Sequence, residues 1–157
     1  MQTIERYETD LTNDRRREIL LGQHAHLRET IQVAQNAARS VLTTRGLAGA
    51  LQASVVALQE ELLAHLADEE KLLEPILAKI DAWGPVRAGL LRAEHAHQRA
   101  ILSVLTGPTA WPVATLVASR TLALCDDLRT DMEFEERELM NENLLRDDLI
   151  LLDASDA

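Results

Sequence analysis

Cysteine is almost missing from this chain of 157 residues. The single Cys125 excludes an internal disulfide and any metal site built from thiolates. Aromatic residues make up only 3% of the sequence, and without them or a wealth of β-branched side chains a packed sheet is disfavoured. Leucine and alanine, both good helix formers, dominate instead. Glycine and proline are scarce as well, six and four residues, and gather mainly near 46–49, 84–89 and 107–112. The stretches between them are long enough for extended helices. No apolar run approaches the roughly 18–20 residues that span a bilayer. The start, Met1-Gln2-Thr3-Ile4-Glu5-Arg6, lacks the basic and apolar segments of a signal peptide. The expectation is a soluble, cytoplasmic protein with no membrane partner.

Basic charge is also short. The formal net charge is −10, and binding of nucleic acid needs clustered Lys and Arg, so nucleic acid is not an expected partner. The one basic run, Arg15-Arg16-Arg17, is surrounded by Asp10, Asp14 and Glu18. It reads as a solvated first helical turn.

The length suits a single domain, residues 1–157. Thr12, Asn13 and Asp14 offer N-caps for a first helix that runs to about Arg45, before Gly46. A second helix starts near Ala48 and continues past His65. Pro75 breaks or kinks it, because proline removes a backbone donor and clashes with the preceding turn; Ile76–Trp83 is a redirected last piece. Gly84-Pro85 opens a third helix, which stops before Gly107-Pro108. The fourth runs from about Val113 to Asn141, and a short apolar tail helix follows at about 143–152. Short connections imply antiparallel neighbours. The predicted fold is therefore all-α: an up-down-up-down antiparallel four-helix bundle over about 14–141, with a short C-terminal helix. The tail is expected to pack on its own bundle, the alternative being a homodimer contact.

Six ionisable side chains continue the apolar stripes of these helices, which advance by three and four residues. His24 follows Leu20 and precedes Leu27 and Ile31. His65 and Glu69 extend Leu51, Val55, Leu58 and Leu62. Asp131 and Glu135 extend Val117, Thr121, Leu124 and Leu128. The third helix is ambiguous: one stripe holds Leu91, His95, Gln98, Leu102 and Leu105, its neighbour Leu90, Glu94, His97, Ile101 and Val104. Local repetition favours His95, since Gln23-His24-Ala25-His26 resembles Glu94-His95-Ala96-His97, and His26 lies about 200° around the helix from the inward His24. His26 and His97 are thus surface residues.

Residues four apart share one helix face, so His65 and Glu69 can reach one site together, and so can Asp131 and Glu135. An unpaired buried carboxylate costs on the order of several kcal/mol and would normally protonate or be replaced. Cations with imidazole ligands would relieve three such carboxylates at once. Interhelical His–Asp and His–Glu pairs without metal are the bland alternative. A ferritin-like Glu-x-x-His pair is a further one, and only Glu94-x-x-His97 has that spacing. Heights along the bundle match for His24 and His65. His95, however, lies nearer both ends of its helix than its partners do, by roughly eight residues or about 12 Å.

With this pattern in view the chain resembles the hemerythrin-like (HHE cation-binding) family over about residues 14–141. His24 with Leu27-Arg28, the segment His65-Leu66-Ala67-Asp68-Glu69-Glu70-Lys71-Leu72-Leu73-Glu74-Pro75, and Glu94-His95 carry the resemblance. It implies a four-helix bundle with two iron ions, bridged by carboxylates and by an oxo or hydroxo group, with manganese or zinc as alternatives. His24 and His65 would bind one ion, His95 and Asp131 the other, and Glu69 and Glu135 would bridge. Oxygen-carrying members use a second histidine where Arg99 stands, and the bacterial repeat form has histidine where Asp131 stands. Reversible oxygen carriage is accordingly not expected. The implied function is an oxidase-like or catalase/peroxidase-like reaction with dioxygen, peroxide or a small molecule. The alternative is a non-enzymatic iron, oxygen or nitric oxide sensor or store.

Overall fold

The computed structural model describes residues 11–44, 46–108 and 113–147. Helix is the only regular structure among them. Helix α1 spans Asn13–Thr44, α2 Ala48–Leu72, the short α3 Glu74–Ile80, α4 Gly84–Thr106 and α5 Ala114–Phe134. A π-helical turn, Glu135–Leu139, ends α5. The predicted helices are thus present within a few residues of their expected ends. Of the tail helix predicted at about 143–152, residues 143–147 form turns with no α-helix, and the rest lies outside the described residues.

Side-chain contacts set how the helices pair. Gln23 reaches Asp68 and Arg16 reaches Leu72, so α1 and α2 run antiparallel. His24 meets Glu136 and Gln35 meets Asp126, which gives α1 the same antiparallel relation to α5 and the turn that ends it. Glu70 meets Arg99 and Gln59 meets Thr106 between α2 and α4.

Two apolar clusters form the interior. One contains Leu27, Ile31, Leu62, Leu66, Leu102, Leu128 and Met132; the other contains Leu20, Leu72, Leu73, Leu77, Leu91 and Leu139. On every long helix the inward ionisable residue falls between them. His24 lies between Leu20 and Leu27, Glu69 between Leu66 and Leu72, His95 between Leu91 and Leu102, and Glu135 between Met132 and Leu139. A polar layer is therefore clamped between two dry ones, each fully buried leucine contributing about 1.5–3 kcal/mol.

The chain breaks after Leu72, ahead of Pro75, which cannot donate a backbone hydrogen bond. Beyond the break α3 packs beside α4 instead of prolonging α2. This accounts for the mismatch in height on that side: α4 climbs past α3 before it reaches the level of Glu69. Gly84 makes the turn possible, since a Cβ there would collide with the backbone of Leu77. The Arg15–Arg17 run is not wholly solvated, contrary to the sequence-based expectation. Arg16 donates to the carbonyls of Leu11 and Leu72, and Arg17 donates to that of Met140. These arginines tie the start of α1 to two chain segments that end at the same level.

Candidate metal centre

Each helix delivers its part of the polar layer through the stripe that carries its apolar residues. His24, Glu69 and His95 are wholly buried, and His65 and Glu135 nearly so. On α4 the stripe with His95, Gln98, Leu102 and Leu105 is the buried one, while His97 is exposed. Glu94 is half-buried, so the Glu94-x-x-His97 pair does not enter the interior. His26 is 71% exposed, as expected of a surface residue.

His24, His65, Glu69 and Glu135 come closest together: one ligand atom from each lies within 4.8 Å of all the others. His24 Nε2 faces His65 Nε2 at 3.1 Å and stands 3.4 Å from Glu135 Oε2 and 3.5 Å from Glu69 Oε1. Glu69 lies between the imidazoles, with Oε2 3.4 Å from His65 Nε2 and 3.1 Å from His95 Nε2. His95 therefore joins the group from the far side of Glu69. Asp131 stands at the margin. It is half-buried, accepts a hydrogen bond from Gln98 Nε2 at 3.0 Å, and lines a small interior cavity with His65, Glu69 and Glu135.

All three inward histidines are held from behind. His24 Nδ1 donates to Glu136 Oε1 at 2.9 Å, His65 Nδ1 to Gln23 Oε1 at 2.9 Å and His95 Nδ1 to Glu70 Oε1 at 3.0 Å. With Nδ1 engaged, each ring turns Nε2 inward, the arrangement that outer partners impose on metal-binding histidines. The supports are anchored in turn. Arg28 bonds Glu136 at 2.8 Å, Gln23 donates to Asp68 at 2.6 Å, and Arg99 grips both oxygens of Glu70 at 2.6 and 3.0 Å.

These supports were missed by inspection of the sequence, yet a pattern marks them. Gln23 precedes His24, Glu70 follows Glu69 and Glu136 follows Glu135. A residue next to an inward ligand points toward the adjacent helix, where it reaches that helix's histidine. The π turn sharpens this for α5, closing with Met140 N to Glu135 O at 2.8 Å. Its wider winding lets consecutive carboxylates serve the two nitrogens of His24. Such turns occur often at functional sites.

Electrostatics show a layer balanced by protons. Burial would lower the pKa of His24, but Glu135, Glu69 and Glu136 outweigh it and hold the imidazolium up to about 10. Burial pushes His65 down to about 4, so it is neutral and presents a lone pair at Nε2. Burial alone would raise Glu69, yet the imidazoles of His24 and His95 beside it hold it down to about 2. Burial lifts Glu135 to about 7, and burial followed by the nearby Glu94 lifts Asp131 to about 6.

The donor set fits cations. Glu69 Oε1 and Gln98 Oε1 are buried without a hydrogen-bond partner, a costly condition that ligands or an ordered ion would relieve. Loss of the Nε2 protons of His24 and His95 would leave three convergent lone pairs beside anionic Glu69 and Glu135. No thiolate intrudes, since Cys125 is buried in the apolar cluster that contains Leu27, Ile31 and Leu128. Among the described residues no helix is long and apolar enough to cross a membrane. Comparisons with curated proteins and with solved structures give no match. The family model described as Hemerythrin HHE cation binding domain, however, matches residues 16–142, a span that contains the whole polar layer. With that match over most of its length, the chain belongs to the hemerythrin HHE cation-binding family.

Proposed function

We propose that this protein holds two iron ions in the polar layer and reacts with dioxygen or peroxide, as an oxidase-like or catalase/peroxidase-like enzyme. Three inward Nε2 atoms around buried Glu69, each fixed by a partner at Nδ1, are the observation that carries the reading. His24 and His65 would hold one ion and His95 the other, with Asp131 completing the second position and Glu69 and Glu135 shared between the two. The four long helices then form an up-down-up-down bundle, in keeping with their antiparallel contacts.

Bound there, iron would supply electrons and open coordination positions for the reduction of dioxygen or peroxide. The chain's own contribution is to position and to exclude. Apolar layers above and below keep water from the imidazoles, while Glu136, Gln23 and Glu70 fix the tautomers. Asp131 is half-buried at the edge and can exchange a proton near neutral pH. Arg99 is committed to Glu70 and offers no neutral nitrogen, which argues against reversible oxygen carriage. The carboxylate-rich second position favours a hard cation, so manganese is the next choice and zinc another.

Elemental analysis of protein purified without chelator tests this reading, with close to two irons per chain expected. Protein without bound metal would overturn it. Oxygen release on addition of peroxide would then distinguish turnover from the alternative, a sensor or store that binds without reaction.

A further inference from the structure

Helices α4 and α5 leave two clefts along their seam. The upper, of about 450 Å³, includes Leu105 and Leu124 and touches no residue of the polar layer. The lower, of about 220 Å³, is walled by Leu90, Leu91, Phe134 and Leu139 and ends on Asp131 and Glu135. Those two carboxylates also line the small interior cavity beside Glu69. They are therefore the partition between cleft and polar layer. At the mouth two large apolar side chains stand open, Leu90 at 63% exposure and Phe134 at 45%. Solvent-facing apolar groups that ring a concavity mark a site of binding.

The charges around the cleft restrict what can enter. Arg87 lies on its rim, but its guanidinium bonds both oxygens of Asp81 at 2.7 and 2.9 Å. Glu94 lines the wall beside Asp131, with which it shares a hydrogen bond, and among the described residues no arginine clamps it as Asp81 is clamped. An anion would meet Glu94. A cation would meet the metal ions behind Asp131 and Glu135. A neutral head that donates a hydrogen bond suits both sides. The volume lies below the roughly 300–1,000 Å³ typical of clefts for drug-sized ligands, so the molecule is small.

We propose that the lower cleft binds a small neutral molecule with an apolar body and a hydroxyl-type head, the head toward Glu94 and the body on Leu90, Leu91 and Phe134. This inference rests on the metal-centre reading, because the metal behind the partition is what disfavours a cation.

The test uses the full chain loaded with zinc and labelled at leucine methyl groups, followed by NMR. Phenol is the neutral probe, with benzoate and benzylammonium as its charged counterparts. Phenol should shift the methyls of Leu90, Leu91 and Leu139, and both ions should bind at least tenfold more weakly. Leu90→Trp should fill the mouth and weaken phenol at least tenfold, whereas Leu90→Ala should keep it. Phenol shifts confined to Leu105 and Leu124, equal binding of benzoate, or undiminished affinity in Leu90→Trp would overturn the proposal. Zinc content of the same samples separates the two readings. A wild-type chain that takes up no zinc overturns the metal centre and this selectivity with it; a zinc-loaded chain without cleft shifts overturns the cleft alone.

Discussion

His24 and His65 face each other Nε2 to Nε2 at 3.1 Å, their ring planes 69° apart. Two lone pairs cannot meet at that distance, so a proton or a cation must sit on one of them. Charged His24 beside neutral His65 is the proton form. Exchange of that proton for metal links the folded layer to its function.

Removal of a central donor should empty the layer. His65→Ala and Glu69→Ala should each lower bound metal to half of the wild-type content or less, as read by elemental analysis. Full retention of metal by both variants would displace α2 from the site.

The outer partners should matter without being ligands. Glu70→Gln and Glu136→Gln leave every inward donor in place but weaken the hold on His95 and His24. A loss of about 10–100-fold in metal affinity is expected, measured by chelator competition, with helix content unchanged by circular dichroism. Unaltered affinity would mean that the rings are oriented by packing alone.

Asp131→His replaces a marginal carboxylate with a longer side chain that can reach past Gln98. The variant should keep its metal and shift the near-ultraviolet charge-transfer bands of the iron-loaded protein. Loss of metal would show that a carboxylate is required at this position.

Metal-free protein should lose stability as the pH rises above neutrality. His24 and Glu135 have folded pKa values above their ordinary ones, about 10 and about 7. The folded state thus binds more protons than the unfolded chain: the share of Glu135 is lost between about 4.5 and 7, and that of His24, which governs the range above neutrality, between 6.5 and about 10. His65 and Glu69 are depressed, to about 4 and about 2, and their losses fall on the acid side, below pH 6.5. Thermal unfolding should therefore move down by several degrees between pH 6.5 and 10. Metal-loaded protein should show a much smaller change there, because cations have replaced the titrating protons.

Gly84→Ala should destabilise the chain by about 1–3 kcal/mol, since the added methyl meets the backbone of Leu77 and the turn must shift. Denaturant unfolding will read the loss. An unchanged midpoint would mean that the connection from α3 to α4 relaxes freely.

Much of the fold was legible in the sequence because its signals are local. Proline and glycine punctuate the helices, and stripes of three- and four-residue spacing mark which faces turn inward. The same periodicity placed His24, His65, Glu69 and Glu135 inside, and the likeness of Gln23–His26 to Glu94–His97 chose His95 over His97. Stripe position could not tell that Asp131 stops at the margin: it follows Leu128 by three residues and Leu124 by seven, yet Met132 takes the fully buried place beside it.

The amino-acid sequence by itself determined the helices, their inward faces and the supply of nitrogen and carboxylate donors, since each depends on spacing along one chain. Tertiary structure alone decided how those donors are held. The break at Leu73 brings His95 level with Glu69, the π turn sets Glu135 and Glu136 on two nitrogens of one ring, and Arg99 closes on Glu70. All of these depend on contacts between helices, where rotation by a fraction of a turn redirects a side chain, and no period in the sequence records that rotation.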